Sequence, residues 1–335
     1  MGVRLFSGCL RILLRAVINS CRSFTSSVSI INGGPIMKRI QRIFGSVVLL
    51  ALAAATAFAQ APATKQVEVF GQKINYVEAG TGPNVILLHG LGGDASNWAM
   101  TIPALAKNYH VWVPDQIGFG ASDKPLINYR VATLVEFLNG FCKKLGIEKA
   151  SLVGNSLGGW TAAAFALAYP DKVDKLVLVD AAGYSPERWG GPKLARETLL
   201  RLNPATPAEL KETMSVVFYN KALLTDAFIE QAFTAKLKRN DGYTINQFIE
   251  SILRGEDYLD GKTKNIKAPT LVVWGRGDAL TPLAIGEAYA KDIPGAQTAY
   301  IEKCGHVPQL ECAPAFNAAL LKFLAGASTA QSSTN

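Results

Sequence analysis

The chain has 335 residues, 49% of them hydrophobic and 18% charged, and a formal net charge of +8. These are the proportions of a globular protein with a sizeable core, either one large α/β domain with insertions or two small ones. The charge is unevenly placed. Eight of the 34 Lys and Arg (Arg4, Arg11, Arg15, Arg22, Lys38, Arg39, Arg42 and Lys65) precede the first acid, Glu68, and the remaining 26 balance the 26 Asp and Glu. The basicity belongs to the leader, so a nucleic-acid partner loses its electrostatic support.

From Met37 the chain reads "MKRIQRIFGSVVLLALAAATAFA", a basic start followed by an apolar run from Phe44 to Phe58. The run closes on Ala57-Phe58-Ala59, a small-x-small cleavage pattern before Gln60. It is short for a membrane span, which needs about 20 apolar residues. No cysteine directly follows it to carry a lipid. Residues 37–59 are therefore expected to be a signal peptide, with Met37 the true start and 1–36 an upstream extension. The product would be periplasmic or secreted, touching a membrane only through that signal. An organelle transit peptide is the rival, because residues 1–36 are Arg- and Ser-rich and free of acid, and an uncleaved membrane anchor is a third alternative. Of the five cysteines, Cys142, Cys304 and Cys312 lie beyond the leader, an odd number that leaves at least one unpaired. Cys304 and Cys312 could bridge a short loop, but the expectation is free, mostly buried thiols.

Eight strand-like runs follow: 66–70, 73–79, 84–90, 110–115, 150–155, 175–181, 270–275 and 298–305. The first two, joined by Gly71-Gln72, read as a hairpin. Several later runs are continuous apolar blocks, as in a parallel sheet buried on both faces. Helical patterns alternate with them at 131–146, 157–170, 282–293 and 313–326. This alternation implies a mostly parallel, doubly wound eight-stranded α/β sheet. Between Ala182 and Ala268 no strand is expected, only helices opening at Thr206, Thr225 and Thr244. Thr206 is followed by Pro207 and by Glu209 as capping-box acid. The expected organisation is a core of 60–181 and 269–326, a helical cap of 182–268 inserted after the sixth strand, and a disordered tail at 327–335.

Ser156 stands in "GNSLG", directly after an apolar strand and directly before a helix. That context makes Gly-x-Ser-x-Gly a nucleophile elbow rather than an ordinary turn. Gly154 and Gly158 remove side chains that would collide across the bend, with Asn155 between strand and nucleophile. Of the three histidines, only His306 falls in a loop after a late strand, giving the order Ser, acid, His. His89 is expected to brace a loop, and His110 to sit at a strand edge without a chemical role. Asp278, after the strand at 270–275, is the expected orienting acid, with Asp180 as runner-up because it too ends a strand. In "HGLGGDASNW", Gly90 and Gly92 let the backbone turn inward, so that the N–H of Leu91, with that of Leu157, can hold an oxyanion. No metal or organic cofactor is called for.

Over residues 66–326 these motifs resemble the α/β-hydrolase fold superfamily: "LLHGLGG", "PDQIGFGASDKP", "LVGNSLGG", "LVVWGRGDALTP" and "CGHVPQLE". The resemblance implies the α/β-hydrolase fold and a Ser-Asp-His triad of Ser156, Asp278 and His306. Epoxide hydrolases and haloalkane dehalogenases share the "GFGASDKP"-like loop but use an aspartate nucleophile, which Ser156 argues against. "GNSLGG", "SNW", "LTDAFIEQ" and "WGRGD" look most like the meta-cleavage product hydrolases, which cut C–C bonds in dienoic acids from aromatic degradation. That group carries a basic residue in a cap helix to grip the substrate carboxylate, where this chain has Ala232, with Lys236 one turn on. It also has tryptophans after its histidine, where Val307 and Leu310 stand here.

Those departures, together with the export signal, favour a less charged substrate. The expected function is an exported serine carboxylesterase acting on small to medium apolar acyl esters. The alternatives are a C–C bond hydrolase of the meta-cleavage product type and a non-catalytic ligand-binding protein on the same fold. Phe119, Trp160, Phe218 and Phe228 are candidates to line an apolar pocket or simply to pack the core. The expected partner is a small-molecule ester or related carbonyl compound; the oligomeric state is not legible.

Overall fold

The computed structural model describes residues 64–192 and 195–326. The proposed leader segments 1–36 and 37–59 and the tail 327–335 lie outside the described residues. The eight expected strands form one sheet: β1 (Thr64–Val69), β2 (Gln72–Ala79), β3 (Asn84–Leu88), β4 (His110–Pro114), β5 (Ala150–Asn155), β6 (Val173–Val179), β7 (Thr270–Gly275) and β8 (Gln297–Ile301). Their order is β1-β2-β4-β3-β5-β6-β7-β8. The pairs β1–β2 and β2–β4 are antiparallel, and the rest are parallel. The carboxyl ends of β3, β5, β6, β7 and β8 therefore open on one edge, where ligands bind in sheets of this kind.

Period-two alternation sorts the strand residues into two cores. Ile86, Leu88, Leu152, Leu176, Leu178, Val272 and Trp274 face one layer. Val85, Leu87, Val153, Val177, Val179, Leu271 and Val273 face the other. Helices Val131–Lys144, Leu157–Ala168 and Leu283–Asp292 contribute to the first core, and helix Ala313–Leu324 closes the second. The helix Leu157–Ala168 is apolar nearly all round, as a central helix must be when sheet, neighbour and cap cover it.

Between β6 and β7 the described residues hold helices only, among them Pro207–Val217, Asp226–Arg239 and Gly242–Leu253. Thr206 caps the first through the Glu209 N–H, while the Glu209 carboxylate reaches back to the Ala205 N–H at 2.7 Å, one residue short of a true capping box. Thr225 caps the second by the same side-chain bond, to the Phe228 N–H. The third starts at Gly242, two residues before the Thr244 expected from the pattern. Asn240 adopts a left-handed φ of 51° and ends the preceding helix so abruptly that the next begins at once. Thr244 is buried inside the helix instead of capping it.

Cys304 and Cys312 form a disulfide, with Cα atoms 6.1 Å apart, and Cys142 is a buried free thiol. The expectation of free thiols at 304 and 312 is thereby corrected. The strand end after β8 and the turn before helix Ala313–Leu324 bring the two side chains together across a short loop, which sequence spacing alone does not disclose.

Candidate active site

Three loops at the carboxyl edge carry the site. Ser156 sits between β5 and helix Leu157–Ala168 with φ 55° and ψ −119°, a left-handed conformation that costs a non-glycine residue roughly 1–3 kcal/mol. Backbone bonds hold it there. Its N–H donates to Val179 O at 3.0 Å, and its carbonyl accepts from Trp160 N–H at 3.0 Å and Ala182 N–H at 3.2 Å. The bend is tight enough to require glycine on both sides. A Cβ on Gly154 would stand 2.2 Å from Gly158 O, and one on Gly158 would stand 2.2 Å from Leu88 O. A Cβ on Gly90 would lie 3.1 Å from that of Ser156, so the loop bearing Leu91 rests against the candidate nucleophile. Leu157 opens the helix, and its N–H is one of the four first-turn donors that no helical carbonyl can satisfy.

His306 is almost fully buried and is fixed from both ends of its backbone. Its N–H donates to Val217 O at 2.8 Å, and its carbonyl accepts from Asn155 Nδ2 at 2.9 Å. The same amide donates to Val179 O at 3.1 Å, so the side chain next to Ser156 binds the histidine loop directly to the sheet edge. The His306 Nδ1 lies 2.8 Å from Asp278 Oδ2. Asp278 Oδ1 accepts the N–H groups of Leu280 at 2.8 Å and Thr281 at 2.9 Å, and Oδ2 also accepts the Thr281 hydroxyl at 2.5 Å. Burial acts to raise the Asp278 pKa, but His306 and these hydrogen bonds outweigh it and hold the carboxyl below its usual value. With Asp278 ionised, Nδ1 carries the proton and Nε2 is left to act as a base.

Asp180, the alternative acid, is wholly buried at the end of β6, and its Oδ1 accepts the Gly275 N–H at 2.9 Å. One ligand atom each from Asp180, Asp278 and His306 lie within 4.8 Å of one another, a spacing that could also suit a metal ion. Here His306 Nδ1 and Asp278 Oδ2 are already spent on each other, the arrangement of an acid–base pair.

His89 lies beneath the Leu91 loop. Its Nε2 accepts the Gln116 N–H at 3.0 Å, which makes Nδ1 the protonated nitrogen that donates to Gly90 O at 2.8 Å. Burial lowers its pKa, keeping the ring neutral. His110 meets Glu78 at 2.8 Å on the far side of β4, away from the triad loops. Of the four aromatic candidates, Phe119 packs face-on against Phe248 and Trp160 stacks on Tyr258 with its Nε1 on Asp257 O, so both are core. Phe218 and Phe228 meet edge to face in a small cap cluster that also includes Val307, the residue after His306.

Two contributors escaped the sequence. Thr281 bonds both members of the acid–base pair; its spacing from Asp278 in "DALT" was the available signal, since Asp-x-x-Thr favours a local side-chain turn. Glu311 accepts the N–H groups of Gly305, Tyr219 and Asn220, tying the histidine loop to the cap, and nothing in spacing pointed to it.

With this geometry in place, the chain belongs to the α/β-hydrolase fold family, whose model matches residues 83–313. It is 34% identical over 263 residues to a 2-hydroxy-6-oxononadienedioate/2-hydroxy-6-oxononatrienedioate hydrolase of Paraburkholderia phymatum, covering 75% of this chain and 91% of the relative. A 2-hydroxy-6-oxo-6-phenylhexa-2,4-dienoate hydrolase of Burkholderia cepacia is also 34% identical, over 76% of this chain and 91% of its own length. Among solved structures, a meta-cleavage product hydrolase of Pseudomonas fluorescens superposes with a TM-score of 0.71 at 31% identity, covering 79% of this chain and 98% of that one. These relatives overturn the expectation of a carboxylesterase. The Val307, Leu310 and Ala232 departures do not outweigh the meta-cleavage motifs.

Proposed function

We propose that the protein is a C–C bond hydrolase acting on a 2-hydroxy-6-oxo-dienoic acid, with Ser156 as nucleophile, His306 as base and Asp278 as orienting acid. The observation that carries the proposal is the coincidence of the buried His306–Asp278 pair with relatives of that class matched over nine-tenths of their length. In the 2-oxo tautomer of such an acid the C6 ketone is the electrophile. Ser156 adds to C6 while His306 takes its proton, and the N–H groups of Leu91 and Leu157 hold the oxyanion. The C5–C6 bond then breaks. Its electron pair delocalises from C5 through C4=C3 onto the C2 oxygen, which takes the proton from His306 to give a 2-hydroxy-2,4-dienoate. Water, activated by the same histidine, hydrolyses the acyl-serine, so overall one water is consumed and C6 leaves as a carboxylic acid.

The carboxylate end of the substrate needs a cation. Lys236 and Arg239 on cap helix Asp226–Arg239 supply candidates. Arg239 Nη1 binds Asp94 Oδ2 at 3.1 Å in the Leu91 loop, and Lys236 Nζ binds Asn203 Oδ1 at 2.7 Å. Burial lowers the Lys236 pKa, a cost that an anionic ligand would relieve.

The test compares turnover of a 6-phenyl dienoate with that of p-nitrophenyl butyrate on the purified protein. Fast dienoate cleavage, reduced by at least about a thousandfold in Ser156→Ala, is expected. Fast ester turnover with negligible dienoate cleavage would sink the substrate assignment.

We also propose that residues 37–59 direct export and are removed after Ala59. The sequence pattern supports this, as does the Cys304–Cys312 bridge, which suits an oxidising compartment.

A further inference from the structure

Asp180 has no part in the mechanism above, yet it is tightly constrained. It closes β6 in a left-handed conformation, φ 42°, with no exposed surface. Its backbone N–H donates to Val273 O at 3.0 Å, and its Oδ1 accepts the Gly275 N–H at 2.9 Å. Its Oδ2 is buried without a hydrogen-bond partner. An orphaned carboxylate oxygen in a dry site is costly, and a backbone strained to hold it there adds to the cost.

The neighbours resolve the difficulty. Asp278 and Thr281 face Asp180 from the loop after β7, and His306 faces it from the loop after β8. Tyr289, on helix Leu283–Asp292, gives its hydroxyl to Ala182 O at 2.7 Å nearby. Two buried carboxyls with oxygens within 4.8 Å of each other strongly disfavour a second charge. Asp278 is held ionised by His306 and Thr281, whereas burial and the Asp278 charge push the Asp180 pKa well above the usual range. A neutral Asp180 has one O–H to place on its unpartnered oxygen, and the Asp278 carboxylate is the acceptor beside it. Asp278 has room for it. The Thr281 hydroxyl is shared between Asp278 Oδ2 and Asp180 O, 3.2 Å away, so Oδ2 can take a further donor.

We propose that Asp180 is a positioning residue that donates a carboxyl–carboxylate hydrogen bond to Asp278, fixing the acid's orientation and tempering its charge against His306. This rests on the Ser156–His306–Asp278 assignment, so the experiment separates the two. The rate at which a fluorophosphonate labels Ser156, followed against pH, needs the base but no knowledge of the substrate. Asp180→Ala removes the donor. Its labelling should slow, and the acid midpoint should rise by about half a unit or more, because a less tempered Asp278 favours the protonated imidazole. Asp180→Asn keeps an N–H donor for Asp278 and a carbonyl for Gly275 N–H, and should restore the wild-type midpoint.

A midpoint lowered by about one unit or more in Asp180→Asn would mean that a negative charge had been removed, and would overturn the proposal. An unmoved midpoint in Asp180→Ala would reduce Asp180 to packing and overturn it equally. Should Asp180→Ala not fold, Asp180→Gly, which also lacks the donor and suits the left-handed φ of 42°, serves in its place and is read in the same way. Wild-type protein that resists labelling, or His306→Ala that labels as fast as wild type, would instead sink the triad assignment itself.

Discussion

Thr281 supports both halves of the acid–base pair. Its hydroxyl lies 2.5 Å from Asp278 Oδ2 and 3.0 Å from His306 Nδ1, and its N–H binds the other Asp278 oxygen. Thr281→Val keeps the volume and the backbone bond but removes the hydroxyl. A lost hydrogen bond to a charged group is worth about 1.5–3 kcal/mol, so kcat for the dienoate should fall roughly tenfold or more with KM little changed. Asp180 carries a stability signature of its own. A raised folded-state pKa contributes stability that is present below the unfolded value, about 4, and is lost as pH rises toward the folded value. Wild-type stability should thus decline from about pH 4 upward on account of this group, at no more than one proton's slope. Asp180→Asn should lack that decline, so its Tm relative to wild type should climb with pH in a thermal-melt series. The turn at Ser156 and the Asp278–His306 pair were legible because each residue follows an apolar strand and stands beside glycine or within a turn. The sideways bonds of Asp180 and Asn155 were not, because they join loops 95 and 151 residues apart.

The elements that carry the site were read with small errors, and each error has a local cause. Continuous apolar blocks such as "TLVVWG" leave a strand as the simplest solution, and β7 spans those six residues. The start of helix Gly242–Leu253 was misplaced because Thr244 imitates a cap while the chain turns earlier, at Asn240. Aromatics in the helices could not be sorted into pocket and core, since both environments select them. Glu311 is the element-scale feature with the largest expected effect. Its carboxylate gathers N–H groups from residues 219 and 220 of the cap and 305 of the histidine loop, while His306 N–H binds Val217 O in the same cap segment. Glu311→Ala leaves those donors to water and should cost about 1–2 kcal/mol. Limited proteolysis should then cut faster near residues 217–221, with kcat falling as the histidine loop loosens. Wild-type cleavage kinetics in that variant would show that the clamp is dispensable.

Across the whole molecule, the doubly wound sheet and its helical insertion were foreseen, whereas the chemistry they serve was misjudged. Under the proposed function, substrate choice depends on which cap side chains reach the reacting carbonyl, and a linear pattern ranks such contacts poorly. The leader remains a proposal with a direct check: intact-mass analysis of protein recovered from the exported fraction should give a chain beginning at Gln60, and a mass retaining residues 37–59 would refute cleavage there. The cap has a consequence for how this protein can change. β6 and β7 pair in register from Leu176↔Thr270 to Val179↔Val273, although the entire insertion is threaded between them. To the sheet, that insertion is one long loop, and the entropy of closing a loop grows only logarithmically, about 0.6 kcal/mol for each doubling of length. Residues 182–268 can therefore vary in length with little penalty to the pairing of β6 and β7, as long as the segment at 217–220 that binds His306 N–H and Glu311 is kept. New substrates are reachable by changing the rest of the cap while that anchor holds the histidine loop.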